Sequence, residues 1–138
     1  MKNCSILELL ARLTCDIMGG SAAAPSLKES IRILDDDAEE VFVSYVSFWE
    51  INIKFSLGKV SLGRGTPEEI FQWCKEAGFK ILPLSEHVVV SFYKLPRALH
   101  KDPFDRMLVW QCINRRLTLV SNDELLDAYL PYGLSRFW

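Results

Sequence analysis

The chain has 138 residues, 49% of them hydrophobic and 25% charged, with a formal net charge of -2. That size and balance predict one globular domain over residues 1–138 and set aside disorder and fibrous repeats. The slight negative charge excludes a general attraction for nucleic acid, so any such contact must rest on a local basic patch. No apolar run approaches the roughly 20 residues that cross a bilayer. Met1-Lys2 is weakly basic, and Glu8 and Arg12 interrupt the run after it, so an export signal is not expected. The four cysteines (4, 15, 74, 112) form no Cys-x-x-Cys, and only His87 and His100 could complete a zinc set. They read as reduced, mostly buried thiols of a cytoplasmic protein.

The first forty residues give the weakest signal. Ser5-Ile6-Leu7 is a candidate strand, although residues 9–18 also suit a helix. Gly19-Gly20 breaks the chain, residues 26–34 suit an amphipathic helix, and Asp35-Asp36-Asp37 reads as a solvated turn. The β-branched run 41–46 predicts a strand, followed by a helix over 47–57 that Gly58 stops. Thr66-Pro67-Glu68-Glu69 opens a helix to about Gly78, and 79–82 is a second strand. Residues 86–95 read as a helix closed by Pro96, and Asp102-Pro103 starts another to about Arg115. Leu117-Thr118-Leu119-Val120 is a strand, 123–129 a short helix, and 134–138 a last strand. This alternation predicts an α/β domain with a mostly parallel central sheet flanked by helices, whose ligands sit beyond the carboxyl ends of the strands.

Three acids fall at such places. Glu50 follows the strand ending near Val46, Asp123 follows the strand ending at Val120, and Asp105 lies in the first turn of the Asp102-Pro103 helix. Clustered carboxylates repel, and a hard divalent cation such as Mg²⁺ or Mn²⁺ removes that cost. Each acid also has a purely local explanation. Ser47-x-x-Glu50 is a capping-box pattern, Asp102 is a natural N-cap, and Asp105 and Asp123 suit early helical positions. Thr66-x-x-Glu69 carries the same box pattern with no other sign of chemistry, and so serves as an internal control.

The surrounding text is more specific. Val46-Ser47-Phe48-Trp49-Glu50-Ile51 with Ile53-Lys54 and Leu57-Gly58-Lys59-Val60, then Lys101-Asp102-Pro103-Phe104-Asp105-Arg106-Met107-Leu108, then Leu119-Val120-Ser121-Asn122-Asp123, resemble in order and spacing the PIN-domain ribonucleases of the VapC toxin type. The resemblance spans about residues 41–138, and residues 1–25 are atypical. It implies a PIN-like three-layer domain and a Mg²⁺- or Mn²⁺-dependent endoribonuclease, the toxin of a type II toxin–antitoxin pair. Its partners would be RNA, a cognate antitoxin and a second copy of the chain, as a homodimer. Carried across, Glu50, Asp105 and Asp123 fall on the metal-site acids, Asp102 on a supporting acid, and Ser121 where a hydroxyl orients water or phosphate.

The family's opening Leu-Leu-Asp-Thr string is missing. Glu8, after Ile6-Leu7, is the nearest substitute for its aspartate, and Asp16 a poorer one. The alternative reading is therefore a PIN module that binds antitoxin or RNA without cutting; a blander one is an α/β domain whose acids are caps only. Lys101, Arg106 and Arg97 are candidate phosphate contacts, while Arg115-Arg116 suit the helix C-terminus. His100 is read as an ordinary surface residue. Trp49, Trp73 and Trp110 are expected to pack, and Phe48, Phe55, Phe92 and Tyr93 are candidates for a dimer face or antitoxin groove.

Overall fold

The computed structural model describes residues 2–4, 40–97, 100–121 and 123–137. Five strands form one sheet: β1 (Lys2–Cys4), β2 (Val41–Ser44), β3 (Lys80–Leu82), β4 (Thr118–Val120) and β5 (Ser135–Phe137). Their order is β3-β2-β1-β4-β5, and every neighbouring pair is parallel. Cys4 stands opposite both Val43 and Val120, which puts β1 at the centre. All five carboxyl ends therefore share one edge. The first strand falls earlier than Ser5-Ile6-Leu7, whose residues lie outside those described. So do the helix expected over 26–34, Asp35-Asp36-Asp37, and both Glu8 and Asp16.

The sheet is covered on both faces, and the strands show why. Val41, Val43, Ile81 and Val120 pack into one cluster with Phe48, Ile51, Ile70 and Cys74. Their immediate neighbours Phe42, Leu82 and Leu119 pack into a second cluster with Leu108, Val109, Cys112 and Tyr129. Successive side chains point to opposite faces, so two apolar neighbours in a row require two cores. The first core is closed by helices α1 (Tyr45–Ser56) and α2 (Pro67–Glu76), the second chiefly by α4 (Pro103–Arg115). This is the expected three-layer arrangement. Cys74 and Cys112 are buried, and burial pushes the Cys74 thiol up to about 12.

Several boundaries differ from the sequence reading, each for a local reason. β2 stops at Ser44 rather than Val46, because the Ser44 side chain accepts a hydrogen bond from the Val46 N–H and caps α1 two residues early. Gly58, with φ of 68°, closes that helix as expected. Helix α3 (Glu86–Ser91) tightens into a 3-10 turn over Phe92–Lys94. There the Ser91 hydroxyl donates back to the His87 carbonyl at 2.6 Å, a bond that competes with helix geometry. The segment after β4 is a 3-10 helix, Glu124–Tyr132, with Pro131 inside it.

One buried connection fixes the layers relative to each other. Ser44 Oγ donates to Gln111 Oε1 at 2.6 Å, and Gln111 Nε2 donates to the Pro83 carbonyl at 3.1 Å. The ends of β2 and β3 are thus tied to α4, which carries the Asp-Pro-Phe-Asp motif in its first turn.

Candidate metal centre

The carboxyl edge of the sheet gathers acids from three distant stretches. Asp102 is the N-cap of α4: its Oδ1 accepts from the N–H groups of Phe104 at 2.8 Å and Asp105 at 3.3 Å, and Pro103 follows at the first helical position. Asp105 projects from the same turn with its side chain 30% exposed. Asp123 divides its oxygens. Oδ1 accepts from the Leu125 N–H at 3.0 Å, capping the 3-10 helix, while Oδ2 lies 2.7 Å from His100 Nε2. The Asp123 N–H in turn donates to Ser121 Oγ at 3.2 Å, so Ser121 holds the loop that aims this acid.

His100 corrects the sequence reading. It is buried rather than a surface residue, and its Nε2 faces Asp105 Oδ2 at 3.4 Å as well as Asp123 Oδ2. One ligand atom from each of His100, Asp105 and Asp123 lies within 4.8 Å of the others. His100 Nδ1 is buried without a hydrogen-bond partner among the described residues.

Glu50 stands beside this triad rather than in it. It is 4% exposed, its Oε1 is 2.5 Å from Lys54 Nζ one helical turn on, and its Oε2 is buried without a partner among the described residues. Burial raises its carboxyl above the usual range, Lys54 pulls it down, and the charge of Asp102 raises it again. Burial opposes the Lys54 charge, but Glu50, Asp102 and Asp105 together lift that ammonium above its ordinary value. At Asp105 burial dominates: with the charges of Asp102, Glu50 and Asp123 adding and His100 opposing, the carboxyl is pushed up to about 6. The acids therefore share one electrostatic pocket and hold each other's charge at a cost.

The donor set fits a divalent cation. Carboxylate oxygens and an imidazole nitrogen converge, buried polar atoms lack partners among the described residues, and positive charge in the pocket would offset the burial and repulsion that raise Asp105. An open groove of about 580 Å³ between α1 and α2, lined by Phe48, Asn52, Pro67, Phe71 and the acids Glu68 and Glu69, contains none of the acids gathered at the sheet edge.

The basic candidates separate. Lys101 and Arg97 are exposed beside the motif. Arg106 instead turns inward: its Nη2 donates to the Leu95 carbonyl at 3.3 Å and its guanidinium stacks over Phe92. Of the aromatic candidates, Phe48 is core rather than interface, whereas Tyr93 is exposed. Trp73 packs in the first core, and Trp110 donates to Ser91 Oγ at 3.1 Å. Trp49 stacks edge-on against Phe104 at 5.2 Å yet stays 60% exposed, so it braces α1 against the start of α4 and still meets solvent. Sequence reasoning missed His100 and Lys54 as members of the site. The i,i+4 spacing of Glu50 and Lys54 was a signal for Lys54, whereas nothing in the local pattern marked His100.

No helix of the described residues is long and apolar enough to cross a membrane. No curated protein matches this chain. Among solved structures, it is similar to the FitAB complex bound to an IR36 DNA fragment, at 15% identity and a TM-score of 0.59, over 99% of this chain and 94% of that one. It is also similar to a toxin–antitoxin complex from Klebsiella pneumoniae, at 11% identity and a TM-score of 0.53, over 94% and 90% of the two chains. At such identities the likeness is one of fold. The PIN-domain family profile matches residues 22–129, spanning Glu50, Asp102, Asp105 and Asp123. With most of its length matched, and the acids of that stretch gathered at one sheet edge, the chain belongs to the PIN-domain family.

Proposed function

We propose that this chain is a divalent-metal-dependent endoribonuclease and the toxin half of a toxin–antitoxin pair. The observation that carries the reading is the meeting of Asp105 and Asp123 around His100, with Glu50 and Asp102 within electrostatic reach. These groups come from separate parts of the chain, and caps alone give no reason for them to converge. Asp105 and Asp123 would hold the ion, with Glu50 as the third acid at its margin and Asp102 setting the helix that presents Asp105. A Mg²⁺ or Mn²⁺ ion bound there supplies the positive charge that makes water a better nucleophile and offsets charge building on a phosphodiester.

The chain's own residues do the rest. Ser121 holds the Asp123 backbone in place. Lys54, 41% exposed beside Glu50, and the exposed Lys101 and Arg97 offer ammonium and guanidinium groups to flanking phosphates. RNA as substrate and an antitoxin and second copy as partners follow the family resemblance, and the similar solved structures include toxin–antitoxin assemblies. Replacing Asp105 by Asn should abolish EDTA-sensitive RNA cleavage and Mn²⁺ binding by calorimetry while circular dichroism stays that of the parent. Cleavage at the parent rate would overturn the reading.

One observation favours a second reading, a PIN module that binds without cutting. The central strand Lys2-Asn3-Cys4 carries no acid, the next residue in the chain is Ser5, and the family match begins at residue 22. Tight antitoxin binding with no cleavage in either metal would decide for it.

A further inference from the structure

Resting on the reading that a divalent ion binds here, we propose that His100 Nε2 is itself a ligand. The centre is then a one-nitrogen, two-carboxylate face with Asp105 and Asp123, which takes a first-row transition ion in preference to Mg²⁺.

Three observations meet on this ring. First, the geometry fits. Ligands about 2.1 Å from a six-coordinate ion stand roughly 3 Å from their neighbours on one face. His100 Nε2 lies 2.7 Å from Asp123 Oδ2 and 3.4 Å from Asp105 Oδ2, on either side of that spacing. Second, the ring is poorly provided for as a structural residue. It is buried, Nδ1 has no partner among the described residues, and Nε2 faces two carboxylate oxygens, only one of which its single N–H could serve. An ion at Nε2 would answer both carboxylates at once, which a single N–H cannot. Third, the acid that could have made an all-oxygen set is otherwise engaged. Glu50 Oε1 is held by Lys54 and lies outside the triad.

The chemical consequence concerns ion choice. Mg²⁺ prefers oxygen and gives up water reluctantly, so an imidazole adds little to its binding. First-row transition ions accept nitrogen readily, so the same ligand favours them. Asp105 and Asp123 are partly exposed, so solvent and substrate would reach an ion held there.

Mn²⁺ serves as the probe, because its unpaired electrons report on ligand nuclei. In the full chain, pulsed EPR of bound Mn²⁺ should show coupling to an imidazole nitrogen that rescales when histidine carries the heavy nitrogen isotope. The only other histidine, His87, is exposed on α3, and His87→Gln should leave the coupling unchanged. By calorimetry the parent should bind Mn²⁺ at least about tenfold tighter than Mg²⁺, and His100→Gln should reduce that ratio to about threefold or less. Labelling the parent decides the matter even if His100→Gln does not fold. Bound Mn²⁺ without nitrogen coupling, or an unchanged ratio in a folded His100→Gln, overturns the inference and leaves the nuclease reading standing. Absence of Mn²⁺ binding to the parent overturns both.

Discussion

Ser47-x-x-Glu50 and Thr66-x-x-Glu69 share one local pattern, Ser/Thr-x-x-Glu, and the fold uses them in opposite ways. At the start of α2 the pattern is a working cap: Thr66 Oγ1 accepts from the Glu69 N–H at 3.4 Å, and Glu69 Oε2 accepts from the Thr66 N–H at 2.8 Å. At Ser47-x-x-Glu50 it caps nothing. The helix has already started at Tyr45 under Ser44, Ser47 Oγ is buried without a partner among the described residues, and Glu50 turns to Lys54. Glu69 is exposed, whereas Glu50 is buried within the field of Asp102. A carboxylate that leaves water without gaining a backbone donor costs stability. Capping therefore does not account for its burial beside other acids.

Within this pair the larger effect should come from Glu50. Glu50→Gln should lower RNA cleavage by about 10- to 100-fold, the usual loss when a group supporting a metal site is removed. Its stability toward urea should equal or exceed the parent's, because a neutral amide replaces a carboxyl raised by burial. Glu69→Gln should leave cleavage within about twofold, since glutamine also completes a capping box. Equal losses of cleavage in the two variants would erase the distinction.

The sequence made much of this fold legible. Paired apolar neighbours such as Phe42-Val43 and Leu119-Val120 announce strands buried on both faces, and the Pro67 and Pro103 helix starts fall where read. Asp105 and Asp123 were found, because acids directly after strands and in a helix's first turn stand out. His100 was not. A histidine two residues before a cap has no periodicity to betray it, and its burial depends on α4 and the β4 loop arriving from elsewhere. Arg106 misled for the mirror reason: its charge suggested phosphate, while its neighbours Leu95 and Phe92, from the preceding segment, claim the guanidinium. Local sequence states what a side chain can do, and tertiary neighbours decide what it does.

The acid cluster should also be visible as a pH effect on stability. Asp105 titrates near 3.8 when unfolded and about 6 when folded. Between those values the folded protein holds a proton that the unfolded chain has released, so stability falls as pH rises through that window. Above it the full penalty applies, about 1–3 kcal/mol allowing for partial exposure. Urea titrations in EDTA at about pH 4 and pH 7 should show the decline. Mn²⁺ should restore stability at the higher pH, and Asp105→Asn should flatten the dependence. A parent whose stability rises across the window would mean that the acids do not crowd one another.

The smallest effect belongs to the control, and it completes the contrast. Thr66→Ala removes the acceptor for the Glu69 N–H and leaves the first turn of α2 with one more unpaired donor. N-cap losses of this kind cost about 0.5–2 kcal/mol. The low end is expected, because the 3.4 Å bond is long, the site is exposed and water can replace the hydroxyl. Cleavage should stay within about twofold of the parent, since none of the site acids lies on α2. The cost of Thr66→Ala should appear in urea titration alone, and that of Glu50→Gln in cleavage alone. A Thr66→Ala variant that lost cleavage at parental stability would show that α2 reaches the acid pocket, and the two glutamates would have to be read as parts of one site.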